Sequence, residues 1–244
     1  MKTKIIALAT IPFIVGSLAF QMQQGYKITG KIAGADNQVI YLSHNEGTQE
    51  IKDSATIKNG HFSFSGTVKE VQIYVLKLKG VQQQKLLILE NKAISISGNK
   101  DSLFNAKITG SPDTDVYYGF YNGPWKAITA KAGNIYRRLD SASQKGKIKL
   151  DPAQRKPFDD EFKALDLMNY NSIKAYVKAH PSSVAVAAIV KDRFIDYPYP
   201  QQATEMYALF SPEVKKSFYG KAINASLAIN NRTAPGKLVP DFTM

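Results

Sequence analysis

The sequence predicts an α+β fold: an N-terminal antiparallel β-sandwich or barrel-like domain followed by a helical segment. Three observations predict it. From about Tyr26 to Ile108, apolar residues recur at every second position in short runs, the period of a strand with one buried face. After Ser111 the period lengthens to helical spacing. The punctuation changes too: Gly, Asn and Asp separate the early runs, whereas Asp-Pro and Ser-Pro pairs open the later ones.

Tyr26, Ile28, Gly30 and Ile32 alternate with Lys27, Thr29 and Lys31 in the first expected strand. Val39 to Leu42 is a short apolar run. Ile51 to Ile57 leads into Asn59-Gly60, a strong hairpin-turn signal, and His61 to Ser65 returns with Phe62 and Phe64 on one face. Val71 to Leu78, Lys85 to Leu89, Ala93 to Ser97 and Lys107-Ile108 complete about eight strands. No helical crossover separates them, so a parallel sheet is not expected.

Beyond Ser111, Asp113 to about Ser143 reads as helix, with breaks at Gly119, Gly123-Pro124 and Gly133. Asp151-Pro152 pairs an N-cap with Pro at the first helical position. The helix it opens runs to about Ala179, with Phe158, Phe162, Leu165, Met168 or Asn169, and Ile173 at core spacing, and Pro181 ends it. Ser183 to Phe194 is a short apolar helix. Ser211-Pro212-Glu213 opens another that reaches about Asn230.

The chain opens with Lys2 and Lys4, an apolar Ile5–Val15 run, and Ser17-Leu18-Ala19 at cleavage-site spacing. This is the pattern of a secretory signal peptide over residues 1–19. The run is shorter than the ~20 apolar residues of a spanning helix, so no transmembrane segment is expected after cleavage. The expected location is outside the cytoplasm, periplasmic or envelope-associated. With no Cys in 244 residues, the chain has no lipobox cysteine, no disulfide, no thiolate metal site and no Cys nucleophile. The expected organisation is a β-rich region over 20–111, a helical region over 112–232, and a linker with an extended segment over 233–244.

The formal net charge is +12, unevenly spread. Phe20 to Tyr117 carries eleven Lys against nine acids; Tyr118 to Met244 carries nineteen bases against eleven acids. Between Lys126 and Lys156, nine bases (Lys126, Lys131, Arg137, Arg138, Lys145, Lys147, Lys149, Arg155, Lys156) face only Asp140 and Asp151. Such a stretch reads first as a solvated helical face, and second as a surface for an anionic partner. No nucleic-acid-binding motif accompanies it, so nucleic acid is not an expected partner.

His44, His61 and His180 lack metal-ligand spacing, and each reads as structural. No G-x-S-x-G, P-loop or paired-His motif occurs. Asp159-Asp160-Glu161 lies near a helix start, where acids complement the dipole. No catalytic residue, metal ligand or cofactor site is therefore expected. The unusual stretch is Tyr117-Tyr118-Gly119-Phe120-Tyr121-Asn122-Gly123-Pro124-Trp125. Tyr117, Tyr121 and Trp125 could form a stacking platform for a sugar or peptide. The plainer reading is that they seal a joint between sheet and helix.

An ordered series carries a family resemblance: Tyr-Lys-Ile-Thr-Gly-Lys-Ile (26–32), Ile-Tyr-Leu (40–42), Asp53-Ser54-Ala55, Asn59 to Gly66, Leu89-Glu90-Asn91 and Thr109-Gly110-Ser111. It resembles the N-terminal domain of unknown function (family 4369) found before thioredoxin-like domains in exported bacterial proteins. Ala234 to Thr243, with Pro240-Asp241-Phe242, is similar to the opening strand of thioredoxin-like folds of the peroxiredoxin and thiol–disulfide oxidoreductase kind. The resemblance implies a non-catalytic accessory or interaction region, with a protein partner or self-association, that ends where the redox domain would begin. The alternative is an extracytoplasmic module that binds a glycan or anionic polymer. A cysteine-free hydrolase is a third reading, and nothing selects a carboxylate pair for it.

Overall fold

The computed structural model describes residues 25–46, 49–196 and 200–233. The expected signal peptide and the Pro240-Asp241-Phe242 segment lie outside them. Eight strands form two four-stranded sheets that pack face to face. The first sheet has the order β4-β1-β7-β8, from β1 (Tyr26–Ala33), β4 (His61–Gly66), β7 (Ala93–Asn99) and β8 (Lys107–Thr109). The second has the order β3-β2-β5-β6, from β2 (Val39–Glu46), β3 (Gln49–Thr56), β5 (Gln72–Leu78) and β6 (Gln84–Leu89).

The period-two pattern builds the core. Ile28 and Ile32 of β1, Phe62 and Phe64 of β4, and Ile94 and Ile96 of β7 meet Ile40, Leu42, Leu76, Leu78, Leu87 and Leu89 of the other sheet. Each such side chain contributes about 1.5–3 kcal/mol of burial. Gly30 takes an inward position on β1 directly opposite Phe62. A Cβ at Gly30 would fall inside the Phe62 ring, so only glycine lets that ring lie across the strand.

Two features of the sandwich add to the sequence expectation or depart from it. Asn59-Gly60 does form a two-residue turn, with both residues at positive φ and reciprocal Lys58–His61 backbone bonds of 2.9 Å. Yet the strands it joins part into different sheets: β3 pairs with β2, and β4 with β1. The turn is a corner of the sandwich rather than the end of a ladder. Second, β1 and β7 pair in parallel, from Lys27↔Ala93 to Ala33↔Asn99. Neither sheet is a parallel one, and the crossover that lets this single pair run parallel is the other sheet rather than a helix. The chain between β1 and β7 lays down all of β2, β3, β5 and β6 before returning. All the other strand pairings are antiparallel.

The helical part begins at α1 (Pro112–Phe120), capped by the Ser111 side chain. It continues through a π-helical turn, Tyr121–Trp125, into α2 (Lys126–Ala142). Pro124 lacks an amide proton, and the wider turn carries the helix past it instead of breaking it. Gly119 is also needed for close approach, because a side chain there would collide with the Tyr176 hydroxyl. A loop leads to α3 (Pro152–Ala179), opened by an Asp151/Gln154 capping box as its Asp-Pro start predicts. Then come α4 (Val184–Val190), a second π-helical turn (Lys191–Ile195), α5 (Pro200–Leu209), α6 (Pro212–Lys216) and α7 (Phe218–Thr233).

The expected single helix from Ser211 to Asn230 is two helices. Ser217 is extended, and its hydroxyl donates to Val214 O at 2.7 Å while accepting from Gly220 N–H at 3.2 Å. Helix α5 had no sequence reading, although its Ala203 and Met206, with Phe210 just beyond, are all buried.

Helix α1 closes the edge of the second sheet. Strand β6 is an edge, whose outward amides and carbonyls would otherwise be open. Ile88 N–H donates to Thr114 Oγ1 at 2.8 Å, and Tyr118 OH donates to Leu86 O at 2.9 Å. Ser111 Oγ lies 2.8 Å from Ile88 O and 2.9 Å from Glu90 Oε2. On the other side of that sheet, β2 pairs with β5 only from Val75 to Leu78, and Ile73 N–H donates to Tyr219 OH on α7 at 2.9 Å. The helices thus extend the sheet's hydrogen bonding at β6 and at the start of β5, while β3 stays an open edge.

Candidate functional site

The two π-helical turns face each other and bring the sequence candidates together. Tyr117 and Tyr121 are in ring contact at 4.7 Å. Tyr121 OH donates to Asp192 Oδ2 at 2.9 Å, and the Arg193 guanidinium lies 3.8 Å from the Trp125 ring centroid. Trp125 also stacks on Phe120, with centroids 6.4 Å apart. All three candidates pack against the helical core formed by Phe120, Ile173, Val177 and α4. Burial raises the Tyr117 and Tyr121 phenols above the ordinary tyrosine value, with Asp192 adding in the same direction. The aromatic cluster is thus occupied by its own protein: rings stack on rings, the hydroxyl is bonded and the indole is covered by a cation. Tyr118 turns the other way, onto the sheet edge. Burial, partly offset by the Leu86 bond, pushes its phenol up to about 12.

Beside this joint lies a buried polar cluster. Asp113 accepts from Ser183 Oγ and, at 3.4 Å, from Ala185 N–H, so a residue of α1 helps cap α4. Burial holds the Asp113 carboxyl above the usual range, and nearby Glu90 acts in the same sense, against the lowering effect of its hydrogen bonds. Glu90 itself pairs with Lys92 at 2.6 Å. Every member has a structural partner, so the cluster works as a joint. Among the described residues, no group of three or more His, Asp or Glu could hold a metal ion.

A different place has the shape of a binding site. Where β1 and β5 begin and β2 and β4 end, the mouth of the sandwich opens into a cleft of about 590 Å³. Tyr26, His44 and Tyr74 supply rings, and Lys52, Asp53 and Glu70 supply charge. His44 is buried and lies 4.2 Å from the Tyr74 ring. Burial raises the Tyr26 phenol, with Asp53 adding to the shift. Glu70 forms an ion pair with Lys221 of α7. His44 and Gln72 also line a second cleft of about 380 Å³, between the outer face of the sheet and Phe218 and Tyr219. Along one side of the mouth runs β3, an edge strand with only its penultimate residue, Ala55, better than exposed.

The sequence reading assigned His44 a structural role and did not single out the mouth. Its residues are far apart in the chain, and only the strand registers bring them together. Their one sequence signal is polar and aromatic residues at strand ends, where a sandwich gathers its loops.

Residues 26–117, less than half of the chain, match the family model described as a domain of unknown function (DUF4369). The match runs from β1 into α1, so it takes in the sandwich together with the Ser111–Thr114 seal of β6. No curated protein and no solved structure matches the chain.

Proposed function

We propose that this chain is an exported, non-catalytic accessory module that holds a protein partner, the mouth of the sandwich being its recognition site. The partner class is a thioredoxin-like redox protein or its client. The observation that carries this reading is the mouth itself: a wide cleft of rings and charges alongside the exposed edge strand β3. An extended segment can add to such an edge through main-chain hydrogen bonds while its side chains enter a neighbouring cleft. Composition supports a role without redox chemistry, because thiol–disulfide exchange needs a thiolate and the chain has no Cys.

The test places a photo-crosslinking residue at Ile51, exposed on β3 and lining the cleft, and another at Leu167, exposed on α3. Ile51 is expected to capture a protein bearing a C-x-x-C motif or a disulfide-bearing client of one, and Leu167 is not. The purified chain is expected to reduce no insulin disulfide. Equal capture at both sites, or insulin turnover by the cysteine-free chain, would overturn the proposal.

A further inference from the structure

Helices α2 and α3 form an arm that leaves the body of the protein. The buried residues of α2 are Ile128 and Ile135, and those of α3 are Ile173 and Val177. No residue from 136 to 172 is buried. On α3 the helix stands clear of the body from Pro152 to about Leu165, roughly 20 Å at 1.5 Å per residue, before Tyr170 packs on the helical core and bonds Glu205 of α5. The outer arm is held by its own contacts, among them the Tyr136–Phe162 ring pair at 5.0 Å and the Arg138–Glu161 ion pair.

The tip is a shaped loop. Gln144, Lys145 and Gly146 all take positive φ. Lys145 N–H donates to Asp140 O at 2.6 Å, and Ile148 N–H donates to Ser143 O at 3.1 Å. The turn holds Ile148 outward, 44 % exposed, between Lys147 and Lys149. Most nearby charges are spent locally. Arg155 pairs with Asp159, Lys156 with Asp160 and Arg138 with Glu161, while Asp151 caps α3. Among the described residues, the side chains of Lys145, Lys147 and Lys149 have no acidic partner.

We infer that this tip docks on an anionic lipid surface, the three lysines meeting the headgroups and Ile148 entering the layer beneath them. Charge complementarity selects an anionic partner, and the exposed apolar side chain selects one with an apolar layer behind its charge. A soluble polyanion would leave Ile148 in water. Among the described residues no helix is long and apolar enough to cross a membrane. The inference does not depend on the accessory reading above.

Each lysine close to an anionic leaflet is worth roughly a five-fold change in partitioning, so the three together give about a hundred-fold. The experiment measures sedimentation of the full chain with vesicles of phosphatidylcholine alone, or of phosphatidylcholine and phosphatidylglycerol in equal parts. Binding is expected only to the anionic vesicles, and it is expected to weaken with salt. The triple variant Lys145→Gln/Lys147→Gln/Lys149→Gln is expected to lose about a hundred-fold. Lys27→Gln/Lys31→Gln/Lys58→Gln, of equal net charge, is expected to bind nearly as the parent does. Ile148→Ser is expected to lose roughly ten-fold with an unchanged salt dependence. Equal losses from both triple variants would overturn the inference. So would binding that ignores Ile148→Ser and is fully competed by dextran sulfate, which would identify a soluble polyanion instead.

Discussion

Replacing Thr114 by Val tests whether α1 seals the second sheet. The two side chains have nearly the same shape, so the buried volume at this 2 % exposed site is kept. What is lost is the Oγ1 atom that accepts from Ile88 N–H at 2.8 Å. Ile88 is itself 1 % exposed, so its amide cannot turn to water. An unsatisfied buried donor costs about 1–3 kcal/mol. Ser111 Oγ loses its 2.8 Å contact with Thr114 but keeps Ile88 O and Glu90 within reach. The expected loss is therefore about 2 kcal/mol, or about 4–8 °C in Tm for a chain of this size. Urea unfolding with an unchanged m-value measures it, and hydrogen exchange locates it: the Ile88 amide should lose protection while the Ile28 amide on β1 does not. Thr114→Val combined with Ser111→Ala should cost less than the sum of the two, because the residues share bonds. A loss below about 0.5 kcal/mol with Ile88 still protected would refute the idea that this hydroxyl completes the sheet.

Two further outcomes follow from the packing. Gly30→Ala should destabilise by about 1–3 kcal/mol, since its methyl group must displace the Phe62 ring; chemical denaturation checks this, and a Phe62→Leu background should relieve it. Asp113 has a folded-state pKa above its unfolded value, so the folded state holds its proton more tightly. That contribution is present at low pH and is lost as pH rises from the ordinary carboxylate value through the raised one. The stability difference between parent and Asp113→Asn, measured by urea unfolding across that window, should shift in favour of the Asn variant as pH rises; a flat difference would show that burial does not perturb this carboxyl.

What could be read in the sequence was what depends on neighbours along the chain. The alternation of Ile28, Gly30 and Ile32, the positive-φ turn at Asn59-Gly60 and the Asp151-Pro152 helix start each report local geometry, and each is present. What depends on distant packing was not legible. Phe158, Phe162 and Leu165 have core spacing but are only half-buried, because they line a two-helix arm rather than a core. Helix α5 was hidden behind a Pro-rich lead-in at Pro198 and Pro200. The aromatic stretch around Tyr117 announced itself, but its use was set by the Asp192–Arg193 turn about seventy residues later. The mouth cleft required Tyr26 and Tyr74, on different sheets, to line one opening, which no local pattern encodes.

The parallel pairing of β1 with β7 constrains the order of folding. As β1 emerges it has no lasting partner: β4 begins near residue 61 and β7 near residue 93. A sheet whose central strand waits about thirty residues for its first partner and about sixty for its second carries the loop-closure cost before it gains the contacts. The β2–β3 hairpin, closed over a few residues, can form first and give the returning chain a surface to land on. The sandwich should then fold slowly from its second sheet towards its first. Until β4 and then β7 arrive, the apolar face of β1 stays uncovered, a state prone to association with other chains.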